Sequence, residues 1–257
     1  MIRVAAVGDV HVGTDSAGRL APRLAGLADH ADVFLLAGDL THRGRPEEAK
    51  VLAEELRGVR VPTIAVLGNH DYHSDEQDGV TEVLEQAGIR VLEGDAVVLE
   101  IGGRRVGIAG SKGFGGGFAG ASASDFGEPE MKAFVGHTKA LAGRLERALG
   151  GLRTDRRIVL LHYSPVAETL AGEPREIHAF LGSYLLAEAV DRLGADAAGR
   201  GRPGPARPRP PGQPRRHHPR RGAGPQRRRP RDRPRLRGVP LRRRGRLRLI
   251  SRPAAGR

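Results

Sequence analysis

The chain has 257 residues, with 43 Lys or Arg against 30 Asp or Glu, so its formal net charge is +13. It contains no cysteine, which excludes disulfides and thiolate metal ligands and leaves nitrogen and oxygen donors for any metal site. No stretch approaches the roughly 18 consecutive apolar residues of a membrane span. A chain without disulfides fits a reducing compartment, and we expect a cytoplasmic protein with no membrane attachment.

The charge is divided unevenly along the chain. From residue 199 to the end there are 22 Arg, 12 Pro, no Lys and a single acid, Asp232. This tail carries +21, so the total of +13 leaves −8 for residues 1–198. The acidic part is long enough for one domain with its own core, and we place the domain boundary after residue 198.

Short apolar runs alternate with helical patterns along the acidic part. Runs at residues 4–7, 33–37, 64–67 and 158–161 are typical of buried parallel strands. Amphipathic spacing, Pro at helix starts and Gly after helix ends predict helices at residues 20–28, 47–56, 77–87, 128–149 and 183–193. The alternation predicts an α/β fold.

Three further strands follow one another without a helix between them. They lie at residues 89–92, 96–101 and 105–109, with Gly102-Gly103 as a hairpin turn, and we expect them in a second sheet. The Gly-rich stretch at 111–127 predicts a flexible loop and lacks the Gly-Lys-Ser/Thr order of a P-loop. Lys112 in this loop either approaches a substrate phosphate or belongs to a plain surface loop.

A polar cluster follows each predicted parallel strand. The clusters are Gly8-Asp9-Val10-His11, Gly38-Asp39, Gly68-Asn69-His70-Asp71 and Leu161-His162-Tyr163. Loops at the carboxyl ends of parallel strands meet at one edge of the sheet, so we expect these side chains to gather there. Carboxylate, imidazole and amide oxygen together form a ligand set for divalent metals.

Each cluster taken alone has a simpler interpretation. Asp9 and Asp39 could be helix N-caps, His11 and His162 could be ordinary loop histidines, and Asn69 with its neighbours could form a turn. The ordered series of clusters favours the metal site over these alternatives. Three other histidines are predicted to have no metal-binding role: His42, His73 and His137.

The series D-x-H, G-D, G-N-H-D and a lone His resembles the calcineurin-like metallophosphoesterase family over residues 1–198. The resemblance implies an αββα β-sandwich flanked by helices that hydrolyses phosphate mono- or diesters. It also implies two divalent ions, for which Mn, Fe, Zn and Mg are candidates, clamping an in-line displacement.

The resemblance assigns a role to each matching residue. Asp39 would bridge both ions, Asp9 and His11 would bind the first, and Asn69 and His162 would bind the second. The catalytic residue His70 would lie beside the scissile phosphate, to stabilise its charge or protonate the leaving oxygen. Asp71 would hold the other ring nitrogen of His70.

The family's fifth cluster, Gly-His-x-His, is missing near residues 195–198, where it is expected. Its two histidines would complete the coordination, one on each metal, and the strands after it would complete the second sheet. We therefore expect a domain truncated at its C-terminal strands and an impaired enzyme. His217 and His218 occur later, among Arg and Pro, and we expect them to be solvated tail residues.

Three explanations of the tail compete: a disordered basic arm for nucleic acid, a Pro-rich linker, and out-of-frame translation of a GC-rich gene. Residues 207–212, Arg-Pro-Arg-Pro-Pro-Gly, have permitted codons that read one base later as Gly-His-Ala-His-Arg-Gly. The frameshift is therefore favoured. We expect residues 199–257 to be disordered, with non-specific nucleic-acid binding, and a non-catalytic nucleic-acid-binding protein is the alternative function.

Overall fold

A computed structural model of the chain describes residues 1–200 and 248–251, without the side chains of residues 197–200 and 248–251. Its first sheet is parallel and has the strand order β11-β1-β2-β3-β4. The strands are β1 (Arg3–Val7), β2 (Val33–Ala37), β3 (Thr63–Val66), β4 (Arg90–Val91) and β11 (Arg248–Ser251). All of β2 is buried, as expected for its run of apolar residues in the middle of the sheet.

The second sheet has the order β10-β9-β6-β5. Its strands are β5 (Asp95–Ile101), β6 (Arg104–Ser111), β9 (Arg156–Leu161) and β10 (Ala197–Arg200). β5 and β6 form an antiparallel hairpin, whereas β6, β9 and β10 are parallel. A separate small hairpin joins β7 (Gly117–Phe118) to β8 (Ala121–Ser122).

Seven α-helices connect the described strands. They are α1 (Ala21–Leu24), α2 (Leu27–His30), α3 (Pro46–Leu56), α4 (Gln77–Gln86), α5 (Pro129–Gly151), α6 (His178–Leu181) and α7 (Tyr184–Leu193). Short 3₁₀ helices occupy His70–Tyr72, Ala167–Leu170 and Arg175–Ile177. No helix among the described residues is both long and apolar enough to cross a bilayer.

Three apolar clusters separate four layers. The first holds α3 and α4 against one face of the first sheet, through residues such as Leu52 and Leu84. The second lies between the sheets and joins Leu35 of the first to Ile108 and Leu160 of the second. The third packs α5 and α7 on the outer face of the second sheet. The order is therefore helix, sheet, sheet, helix, which confirms the αββα class.

The predicted strand at 89–92 and the predicted helix at 20–28 differ from the observed fold. The strand at 89–92 was assigned to the second sheet, but β4 pairs in parallel with β3 in the first. The reason is that β3, α4 and β4 form a crossover unit, which returns the chain beside the strand it left. The helix predicted at 20–28 is two short helices, because Ala25 is extended (φ −56°, ψ 130°) and Gly26 is left-handed (φ 73°).

Most of the predicted tail lies outside the described residues. Residues 201–247 and 252–257 are not described, so the predicted disorder and the two tail histidines, His217 and His218, lie outside the structure. Two strands bear on the boundary at residue 198. β10 extends across it to Arg200, and β11 forms part of the first sheet.

Candidate metal centre

The strand-end side chains meet at one end of the sandwich. The donor atoms of Asp9, Asp39 and His162 lie within 4.8 Å of one another, and so do those of His11, Asp39 and His70. Asp39 is 5% exposed and belongs to both groups. The structure thus brings together five of the predicted residues, and it groups Asp9 with His162 rather than with His11.

The sixth predicted residue, Asn69, joins the centre through His162. Asn69 Oδ1 lies 3.0 Å from His162 Nε2, which is 3.4 Å from Asp39 Oδ1. The other ring nitrogen, Nδ1, is 3.1 Å from the carbonyl oxygen of Ala37. A carbonyl oxygen only accepts, so Nδ1 carries a proton, and in the neutral ring Nε2 presents a lone pair to two oxygens. Three electron-rich atoms facing one another suit a bound cation, so these residues fit a divalent metal.

The loops that carry the acidic ligands have an unusual backbone. Asp9, His11 and Asp39 all have positive φ angles, of 56°, 45° and 50°. Such conformations cost about 1–3 kcal/mol each in non-glycine residues and persist only where the surroundings enforce them. Here the Asp9 amide donates to Gly38 O at 2.9 Å, and the His11 amide donates to Asp39 O at 3.0 Å. Backbone hydrogen bonds between the loops after β1 and β2 therefore stabilise the conformation of both.

Two glycines leave room for the ligands. A Cβ at Gly38 would lie 2.5 Å from Cγ and Nδ1 of His162. A Cβ at Gly68 would overlap the amide nitrogen and Oδ1 of Asp39. The glycine that precedes Asp39 and the one that precedes Asn69 therefore serve the packing of the neighbouring ligands, in addition to their turns.

His70 is fixed at both its backbone and its ring. Its amide donates to Asp39 Oδ1 at 2.9 Å, and its Nδ1 donates to the carbonyl oxygen of His42 at 2.8 Å. The ring meets that of His11 edge to face, with centroids 4.4 Å apart. Its Nε2 is therefore the nitrogen that accepts a proton in the neutral ring and donates one in the cation. Sequence reasoning missed His42, whose contribution is a backbone carbonyl that any residue type supplies.

The predicted contact between Asp71 and His70 is wrong. Asp71 is fully buried, and its carboxylate accepts hydrogen bonds from the amides of Leu40, Thr41 and Gly68 and from the Thr41 hydroxyl, at 2.6–3.1 Å. Burial raises the pKa of Asp71, while these four donors lower it. Asp71 thus joins the loop after β2 to the loop after β3. These two loops carry Asp39 and His70.

Burial also shifts the protonation equilibrium of His11. It lowers the pKa of His11, with His70, His42 and His162 acting in the same direction and Asp39 opposing them. Because a metal binds the neutral imidazole, a lowered pKa keeps His11 ready to act as a ligand at neutral pH.

Comparison with known proteins identifies the family. The family model described as calcineurin-like phosphoesterase matches residues 2–198. The chain belongs to this family of phosphoric ester hydrolases. The structure resembles the phosphopantetheinyl hydrolase PptH from Mycobacterium tuberculosis, with a TM-score of 0.56 and 16% identity over 77% of this chain and 81% of that one. It also matches TT1561 of Thermus thermophilus, with a TM-score of 0.46 and 19% identity over 78% and 83% of the two chains.

One curated relative aligns over a short segment. The glycerophosphodiester phosphodiesterase GpdQ of Enterobacter lignolyticus (strain SCF1) is 39% identical over 49 residues, which are 19% of this chain. The alignment spans only 18% of that enzyme's length.

Proposed function

We propose that this metallophosphoesterase uses a two-metal centre built on Asp39 to hydrolyse phosphate esters. The observation that carries the proposal is that the Asp39 carboxylate is shared by two separate groups of ligand atoms. Two bound cations would repel each other, and a carboxylate between them offsets part of that repulsion. Divalent ions bound here would supply Lewis-acid activation of water and of phosphoryl oxygens.

The remaining ligands divide between the two ions. Asn69 and His162 are 3.0 Å apart and would hold one ion together with Asp39. Asp9 and His11 would hold the other; this division follows the family pattern, whereas the structure places the Asp9 donor atom with that of His162. The metal is Mn, Fe, Zn or Mg, because oxygen and imidazole donors suit all four in varying degree.

His70 handles the proton of the reaction. Its Nδ1 is occupied by the His42 carbonyl, so Nε2 is the atom that faces the substrate. As an imidazolium it donates to the leaving oxygen, and it also stabilises negative charge on the phosphoryl group. We therefore propose His70 as the general acid and Asp71 as its positioning residue.

The substrate class is a phosphate mono- or diester. A small phosphodiester is the first choice for assay, because the aligned relative is named a glycerophosphodiester phosphodiesterase. Bis(p-nitrophenyl) phosphate and p-nitrophenyl phosphate would report diester and monoester hydrolysis separately.

The chain as written is expected to be an impaired form of this enzyme, since the fifth cluster is missing. Restoring the frame before residue 207 should yield an enzyme that hydrolyses an aryl phosphate ester with Mn²⁺. Asp39→Asn should remove most of that activity, because one neutral oxygen cannot bridge two cations, whereas exposed Asp191→Asn should not. Bound metal with full activity in Asp39→Asn would refute the bridging role. Sequencing the gene around codons 190–210 tests the frameshift itself.

The tail supports a second candidate function. Its charge of +21 favours non-specific binding to DNA or RNA through phosphate contacts. Binding should weaken steeply as salt rises and should be lost in a chain that ends at Ala198. If the intact gene lacks a shifted frame and this binding persists at physiological salt, nucleic-acid binding becomes the preferred function. A cytoplasmic location stays a prediction that cell fractionation can test.

A further inference from the structure

Lys112 is a buried cation surrounded by aromatic rings. The residue is 7% exposed, and its Nζ lies 4.5 Å from the ring centroid of Tyr72, 5.2 Å from Phe114 and 5.5 Å from Tyr163. Among the described residues, no hydrogen bond or ion pair reaches Nζ. Contacts with aromatic faces stabilise an ammonium group without satisfying its N–H donors, so those donors are available to an oxygen ligand.

Sheet register places Lys112 beside the metal centre. Ser111, the last residue of β6, is opposite Leu161 of β9, so Lys112 and His162 follow their strands side by side. Val106, Ile108, Ile158 and Leu160 face the space between the sheets. Side chains alternate along a strand, so Lys112 and His162 continue that same face.

Contacts connect Lys112 both to the turn that begins at His70 and to the residue that follows His162. Tyr72 belongs to the 3₁₀ helix that starts at His70, so the ammonium reaches across from the second sheet to the catalytic histidine's own turn. The amide of Tyr163, the residue after His162, donates to Lys112 O at 2.9 Å. The Tyr163 and His162 rings meet edge to face at 5.4 Å. The aromatic enclosure is therefore continuous with the metal ligands.

Charged groups around Lys112 act on its pKa in both directions. Burial lowers the pKa of Lys112 and Arg144 acts in the same direction, whereas Glu93 and Asp39 raise it. Glu93 also accepts the Lys112 backbone amide at 3.3 Å and lies 3.9 Å from Arg144. Glu93 is thus shared with a second cation, and the Lys112 head group keeps capacity for another anion.

We propose that Lys112 binds the phosphoryl oxygens of the substrate, as a specificity-determining cation at the edge of the metal centre. The inference rests on the proposed function, because the phosphoryl group reaches this position only when it is held at the metals. The positive charge of the ammonium favours an oxyanion over a neutral group, and the three rings around it limit the positions it can take.

The test compares Lys112→Met with Lys132→Met in the full chain. Methionine keeps the length and apolar stem of lysine but has no charge, and Lys132 is exposed on α5 and serves as the matched control. Each protein is loaded with Mn²⁺, its metal content is measured, and its affinity for inorganic phosphate is determined by calorimetry. We expect Lys112→Met to bind phosphate at least about tenfold more weakly with unchanged metal content, and Lys112→Arg to recover part of the loss.

A second measurement uses the wild-type chain and does not depend on the variant folding. The chain has four lysines, so ¹⁵N-lysine labelling gives few Nζ signals, and phosphate should shift that of Lys112 in the Mg²⁺-loaded protein. Unchanged phosphate affinity in a metal-loaded Lys112→Met, or an Nζ signal that ignores phosphate, overturns the inference and leaves the proposed function intact. A chain that binds no metal even after its frame is restored overturns the proposed function and this inference with it.

Discussion

Gly38 leaves room for the His162 ring. Comparing Gly38→Ala with a control variant distinguishes the cost of backbone strain from the effect of displacing that ring. Gly38 has φ +80°, and a Cβ there would lie 2.5 Å from the His162 ring. Ordinary carbon contacts begin near 3.5 Å, so the ring must move by about 1 Å. Gly88 has φ +81°, and a Cβ there would meet nothing within 4 Å. Gly88→Ala is therefore a control with the same backbone strain and no clash.

The two variants should differ by the contribution of His162. Both pay the strain of a left-handed alanine, about 1–2 kcal/mol in the free energy of unfolding. Gly38→Ala also breaks the bond from His162 Nδ1 to Ala37 O, which is worth about 0.5–1.5 kcal/mol. Loss of a partner that orients a metal ligand typically reduces metal affinity about 10–100-fold. We expect that reduction in Gly38→Ala and none in Gly88→Ala.

Two assays test this expectation. Urea unfolding of the metal-free proteins measures the difference in stability, and calorimetric titration with Mn²⁺ measures affinity and stoichiometry. If both variants bind Mn²⁺ as the wild type does, the packing of Gly38 against His162 has no role in the metal site.

Three further outcomes are expected. Asp71→Ala leaves four buried donors without their acceptor, and each such loss costs about 1–3 kcal/mol. Urea unfolding should therefore show a decrease of at least about 3 kcal/mol in the free energy of unfolding. A decrease below about 1 kcal/mol would contradict the conclusion that Asp71 joins the loops after β2 and β3. Hydrogen bonds from the amides of Ala21, Gly18 and Leu20 lower the pKa of Glu55 below its ordinary 4.5, and desolvation opposes them. The ionised Glu55 therefore stabilises the fold above that value, and this stabilisation is lost as pH falls through the lowered pKa. Glu55→Gln should flatten this acid dependence in denaturant unfolding, and an unchanged slope would count against it. A chain ending at Ala198 should show no more Mn²⁺-dependent ester hydrolysis than the full chain, because missing ligands rather than an inhibitory tail limit activity; clear rescue by truncation would reverse that view.

The gathering of the candidate ligands was predictable, because the carboxyl ends of parallel strands meet at one edge of a sheet and bring residues distant in sequence together. Each ligand follows a short apolar run, and parallel strands deliver their carboxyl ends to one rim. Asp39 and His162 are 123 positions apart in the numbering, yet their side chains are 3.4 Å apart for this reason. The strand assignment and the order of the polar clusters were enough to predict that these side chains meet.

Contacts made by the backbone or decided by burial were not predictable in the same way. The His42 carbonyl that holds His70 leaves no trace in residue type. Asp71 was expected to contact its sequence neighbour, but a carboxylate excluded from water takes the position with the most donors, four in this case. Lys112 lies in a Gly-rich segment that indicates an exposed loop, whereas aromatic residues distant in sequence enclose it.

The end of β10 shows why the fifth cluster matters to the chemistry. Arg200 is opposite Leu161, so the sequence that follows β10 begins level with His162, at the rim that holds the other ligands. Residues 201–212 contain no His, Asp or Glu, and three of them are Arg. Read one base later, residues 207–212 supply two histidines in the Gly-His-x-His order, one for each proposed metal. β10 therefore ends at the rim of the metal centre, and the shifted frame would place histidines in the segment that follows it. Comparing bound Mn²⁺ in the two forms measures that difference directly, and equal metal content would mean that the described residues suffice for both sites.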